Sequence, residues 1–149
     1  MLQTVEKGEQ VMKKTVLFLC THNSCRSQLA EGLLKNLAGD KFDVYSAGVE
    51  PTSVHPLAKK VMKEIGIDIS GQQSKSVDEF LDKEFDYVIT VCENARQTCP
   101  FFPGNHELLH WSLEDPAIAL GSEEERLLMF RKIRDQLRDH IQRLINTTV

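Results

Sequence analysis

The run Lys14-Thr15-Val16-Leu17-Phe18-Leu19-Cys20 constrains this chain more than any other stretch. Apolar residues follow one another there without alternating polar positions, which predicts a strand covered on both faces, as in a parallel sheet. It gives way at once to polar Thr21-His22-Asn23-Ser24 and then to helical spacing at Leu29, Ala30, Leu33, Leu34 and Leu37, with Gly39-Asp40 placed to end the helix. Phe42 to Ala47 reads as a second strand stopped by Gly48. A helix opening at Pro56 carries Leu57, Val61, Met62 and Ile65 on one face and stops at Gly66. Asp86 to Val91 and Glu107 to Trp111 supply a third and a fourth strand. Ser122 and Glu125 form a capping box before the stripe Leu127, Phe130, Ile133, Leu137, Ile141 and Leu144. Strands alternating with helices predict an open α/β sheet, whose ligands bind beyond the carboxyl ends of the strands. Cys20 and Cys92 fall at two such ends.

No repeat, low-complexity tract or linker divides the 149 residues, so residues 13–149 read as one domain. Residues 1–12 lack apolar periodicity and read as a flexible N-terminal extension. A net charge of -4 offers no basic face for nucleic acid or anionic lipid, and no apolar run approaches the ~20 residues of a membrane span. A cytoplasmic monomer is expected, and in a reducing compartment its four cysteines serve catalysis, a metal or plain burial.

The segment Cys20-Thr21-His22-Asn23-Ser24-Cys25-Arg26-Ser27 joins a strand to a helix, where successive backbone N–H groups converge on an oxyanion. A sulfur at Cys20 gains there from the helix dipole, Arg26 and Ser27, all of which favour a thiolate nucleophile. Arg26 holds two oxygens of a tetrahedral anion at once through its planar fork. The C-x5-R spacing is weak by itself, and its place between strand and helix strengthens it; the rival is a buried cysteine beside an ordinary helix-terminal arginine. Asn23 suits a left-handed turn that braces the loop, and Cys25 reads as packing.

Cys92 and Cys99 are separated by polar Glu93 to Thr98. They can form a disulfide only if that segment loops or unwinds to bring the two Cα atoms within about 7 Å. Zinc held by Cys20, Cys25, Cys92 and Cys99 is a rival reading whose gap exceeds the usual ligand spacing, and inert burial is another. Asp115 precedes Pro116 in a loop able to swing over the anion site, where it is either a general acid or a plain turn cap. The histidines show no metal spacing, and Trp111 reads as core or as a lid.

The stretches CTHNSCRS and QLAEGLLK, with YSAG, GIDIS at 66–70, VCENARQTCP and HWSLEDPA at 110–117, resemble the low-molecular-weight protein tyrosine phosphatase superfamily, above all its thioredoxin-coupled arsenate reductases. The likeness runs from about residue 14 onward, and His22 stands where the reductases commonly have glycine. It implies an open four-stranded parallel sheet flanked by helices on both faces, with Thr21 to Ser27 binding substrate. It further implies a relay in which Cys20 attacks arsenate, Asp115 protonates the leaving oxygen, Cys92 takes up the disulfide and Cys99 moves it outward to thioredoxin. No metal or organic cofactor is needed for this. A phosphatase using Cys20, Arg26 and Asp115 is the alternative, and a non-enzymatic binding module the third. Some relatives bind potassium beside the loop through groups corresponding to Asn23, Glu31, Ser46 and an aspartate whose place is taken here by Lys75.

Overall fold

The computed structural model describes residues 12–148, so the expected extension over residues 1–12 lies outside the described residues apart from Met12. Strand β1 (Lys14–Cys20) pairs in parallel with β2 (Phe42–Gly48) on one side and with β3 (Tyr87–Thr90) on the other. Strand β4 (Glu107–His110) adds beside β3, giving the all-parallel order β2-β1-β3-β4. The unbroken apolar run is therefore the central strand, and Val16 to Leu19 are fully buried. The chain leaves β1 toward β2 and later returns to β3 on the opposite side. The crevice beyond Cys20 is thus a topological switch point, the position at which open α/β sheets bind ligands.

Helix α1 (Arg26–Ala38) follows the loop, α2 (Pro56–Lys63) follows β2, and α3 (Glu93–Thr98) follows β3. The last helix, α4 (Glu123–Thr148), packs on α1 and α2. Its stripe from Leu127 to Leu144 is buried as the periodicity predicts, and the capping box closes through Glu125 N to Ser122 Oγ (3.2 Å) and Ser122 N to Glu125 Oε1 (2.8 Å). Gly66 takes the left-handed φ of 80° that the chain needs to leave α2.

Three local expectations are revised. Gly48 belongs to β2 and pairs with Cys20, where the sequence suggested a stop. Trp111 lies outside β4 and is core, not lid: it packs on Phe18 at 5.7 Å and stacks on His140 at 4.8 Å. The polar segment after Cys92 is a helix, α3, of which only Ala95 is buried.

Candidate active site

Residues 20–24 form the wall of the site because a second segment holds their carbonyls. Val49, Glu50, Thr52 and His55 donate backbone N–H groups to the carbonyls of Cys20, Thr21, His22 and Ser24 at 2.7–3.3 Å, and Gln28 Nε2 donates to that of Asn23 at 3.0 Å. A peptide plane with its carbonyl tied outward turns its N–H the other way, so these bonds aim the loop amides at one point. Asn23 takes the left-handed φ of 50° that lets the chain reverse. Gly48 makes the close approach possible: a Cβ there would lie 2.7 Å from Asn23 N and from Thr21 O.

Behind the loop, fully buried Asn23 fixes the direction of a hydrogen-bond chain. Its Nδ2 donates to Ser27 Oγ at 2.7 Å and to Ser46 Oγ at 2.9 Å. An amide nitrogen only donates, so each serine turns its own proton onward: Ser46 to Glu31 Oε1, and Ser27 to Cys20 Sγ, 2.8 Å away. Cys20 thus accepts a hydroxyl proton from Ser27 at the end of β1 and just before α1. The Glu31 carboxylate is itself buried and flanked by two ammonium groups, Lys35 in hydrogen-bond contact and Lys75 at 3.9 Å.

A cavity of about 70 Å³ opens over Cys20, lined also by His22, Ser24, Cys25, Arg26, Thr52, Asp115 and Ala117. That is far below the ~300–1,000 Å³ of pockets that enclose drug-sized ligands, and fits a small tetrahedral anion. A larger cleft of about 470 Å³ beside Glu31, Lys35 and Lys75 has no cysteine among its described lining residues. Arg26 is braced by Leu113 O at 3.1 Å and by Asp115 Oδ2 at 3.7 Å from its NH2, while its buried Nε has no hydrogen-bond partner among the described residues. An orphaned buried donor is costly unless a ligand oxygen meets it. Asp115 Oδ1 caps the turn Pro116–Ile118 by accepting from Ala117 N at 2.9 Å, which is the cap the sequence allowed, and Oδ2 faces Arg26. His22 sits at the rim, its Nδ1 3.0 Å from Glu50 O.

Cys92 follows β3 beside Cys20's own strand and caps α3, its Sγ accepting from Ala95 N at 3.4 Å. The same sulfur lies 3.3 Å from the hydroxyl of Thr21, which also accepts from Asn94 Nδ2 at 3.2 Å. Cys99 stands at the far end of α3, half-buried, with burial raising its thiol pKa above the ordinary value. Seven residues of helical rise separate the two cysteines by about 10 Å, so a Cys92–Cys99 bond requires α3 to unwind. Among the described residues no three His, Cys, Asp or Glu side chains converge to hold a metal ion.

Cys25 is buried against the cavity wall, and burial pushes its thiol up to about 12. It stays protonated through the neutral range and is expected to be inert. Iodoacetamide at pH 7 should alkylate Cys20 before Cys25, with arsenate or phosphate protecting Cys20. Equal labelling of the two sites by peptide mapping would count against the assignment.

The low molecular weight phosphotyrosine protein phosphatase family profile matches residues 15–149. The chain belongs to this family. Within it, an arsenate reductase of Halalkalibacterium halodurans is 50% identical over 135 residues, 91% of this chain and 97% of that protein. A solved arsenate reductase in its phosphate-binding state superimposes with a TM-score of 0.75 at 37% identity, covering 91% of this chain and 99% of its own. A thioredoxin-dependent arsenate reductase of Corynebacterium glutamicum gives a TM-score of 0.63 at 34% identity, covering 93% of this chain and 67% of its own.

Sequence reasoning missed Gly48, Gln28, Asn94 and Lys35. Only Lys35 left a local signal, four residues after Glu31 on one helix face. Gly48 and Asn94 act across 20 residues or more, and Gln28 Nε2 joins Asn23 O, five residues back, to Gln73 O, 45 residues on, contacts that no local pattern encodes.

Proposed function

We propose that this arsenate reductase works by a Cys20-Cys92-Cys99 relay recharged by thioredoxin. The observation that carries the reading is the placement of Cys92 Sγ against Thr21, one residue from the nucleophile, with Cys99 at the outer end of the same short helix. Arsenate enters the cavity, where the loop amides and the free Nε of Arg26 take its oxygens. The Cys20 thiolate attacks arsenic, one oxygen leaves as Asp115 gives it a proton, and a sulfur–arsenic(V) adduct forms. Cys92 then attacks Cys20 Sγ. The sulfur–arsenic pair of electrons passes to arsenic, which departs as arsenite, and Cys20–Cys92 remains as a disulfide. As α3 unwinds, Cys99 attacks Cys92 and expels Cys20 as thiolate, leaving Cys92–Cys99 for a protein dithiol to reduce.

The family's phosphatase chemistry would use the same loop and acid, since phosphate and arsenate share shape and charge. The cavity of about 70 Å³, with no Phe, Tyr or Trp among its described lining residues, suits a bare oxyanion better than an aryl phosphate. The test is arsenite release with arsenate, thioredoxin and its reductase, run beside hydrolysis of an aryl phosphate. Release continuing far beyond one arsenite per polypeptide supports the relay; ester hydrolysis without arsenite would return the assignment to the phosphatase alternative.

The charge around Glu31 carries a further expectation. Lys75 donates to Gln73 O at 2.9 Å while its ammonium lies 3.9 Å from Glu31, whose other oxygen meets Lys35. With its own cations on the carboxylate, the protein should gain less than about twofold in kcat/KM when potassium replaces sodium at equal ionic strength. A several-fold stimulation by potassium would refute this.

A further inference from the structure

Two adjacent phenylalanines beyond Cys99 face opposite ways. Phe102 is fully buried, edge-on to Phe85 at 5.7 Å and to His106 at 6.4 Å, whereas Phe101 is 87% exposed. Burying a phenylalanine side chain is worth roughly 1.5–3 kcal/mol, and the ring of Phe101 leaves that free energy available to a partner that covers it. Buried Phe102 anchors the chain directly after Phe101 in the core. The residues that precede Phe101 in the chain are Arg96, Gln97 and Thr98, exposed and polar, and Cys99 and Pro100, half-exposed. An apolar centre with a polar rim is the arrangement of a small protein-binding patch.

Geometry then decides what covers it. A protein that exchanges a disulfide with Cys99 must bring its own cysteine Cα within about 7 Å of Cys99 Cα. Phe101, two residues further on, lies no more than about 7 Å along the chain from Cys99. The surface around such a partner's cysteine comes within reach of this exposed ring. We propose that Phe101 is the docking anchor for the protein dithiol that reduces Cys92–Cys99, a partner with apolar surface flanking its attacking sulfur. The inference rests on the relay reading above. In the encounter the partner's thiolate attacks Cys99 Sγ and Cys92 leaves as thiolate. The partner's second thiol then attacks the mixed disulfide, releasing Cys99 as thiolate and leaving the partner oxidised.

The experiment uses full-length protein carrying the Cys92–Cys99 disulfide and measures its reduction by thioredoxin and, separately, by dithiothreitol. Phe101→Ala should lower the second-order rate constant with thioredoxin about tenfold or more, the scale of an aromatic anchor, and leave the dithiothreitol rate within twofold. Phe101→Leu should restore most of the loss. Pre-reduced Phe101→Ala protein should release its first arsenite at the wild-type rate. An unchanged thioredoxin rate in Phe101→Ala would overturn the inference while leaving the relay standing. Equal slowing with both reductants would also overturn it, because the ring would then act on the disulfide itself. Wild-type protein that forms Cys92–Cys99 but resists thioredoxin, or never forms that bond, would overturn inference and relay reading together.

Discussion

Cys99→Ser protein is expected to release about one arsenite per polypeptide and then stop, holding a Cys20–Cys92 disulfide that thioredoxin reduces slowly or not at all. Both sulfurs of that bond would be buried, since Cys20 and Cys92 are only 2% and 4% exposed in the reduced fold. Cys92→Ser should fail one step earlier: arsenate binds and the adduct with Cys20 forms, but no sulfur stands beside Thr21 to displace it. Its phosphate-ester hydrolysis, whatever the wild-type level, should survive, because that reaction needs Cys20 and not Cys92. Cys20→Ser should lose both activities. Peptide mapping of oxidised wild type should find Cys92 joined to Cys99 with Cys20 free. Sustained multiple turnover by Cys92→Ser or Cys99→Ser with thioredoxin would show that electrons take another path.

The three stages depend on α3, the element least legible in the sequence. Its six residues bury only Ala95, so no apolar period marks it, and its N-cap is a cysteine and not one of the oxygen-bearing residues that usually signal a helix start. The sequence did constrain what the segment must do: spacing alone required a rearrangement before Cys92 and Cys99 could meet. A helix this short, largely solvent-exposed, has little tertiary contact to lose on opening. Strand β1 and helix α4 were readable for the opposite reason. Each buries a long apolar pattern, so local sequence and tertiary demand coincide.

Asp115 shows where residue reading runs out at the site. An Asp-Pro pair is an ordinary cap, and the residues alone left that role open beside a general acid; in the structure one carboxylate oxygen accepts from Ala117 N and the other faces Arg26. Nothing local could reveal the second contact, because Arg26 is 89 residues away in the chain. Gly48 is similar. It reads as a strand terminator until the backbone of Thr21 to Asn23 is placed against it.

Arg26→Lys separates charge from geometry and is expected to cost roughly 10²–10³-fold in kcat/KM for arsenate, the scale of losing a preorganised donor to a developing oxyanion. Lysine keeps the positive charge but has no planar fork, so it cannot bond Leu113 O and offer a second, fixed N–H to the cavity at once. The loss should appear with phosphate esters as well, which distinguishes it from the Cys92 and Cys99 variants, whose defects belong to reduction alone. Arg26→Ala should be worse, because it also leaves Asp115 facing the anion with no cation between them. Folding is the obvious confounder, since the arginine side chain is only 11% exposed. Thermal melts and the alkylation rate of Cys99, at the outer end of α3, should stay close to wild type if the effect is confined to anion capture. Arsenate reduction within a few-fold of wild type in Arg26→Lys would mean that the loop amides bind the anion unaided and that the guanidinium fork is not what the site requires.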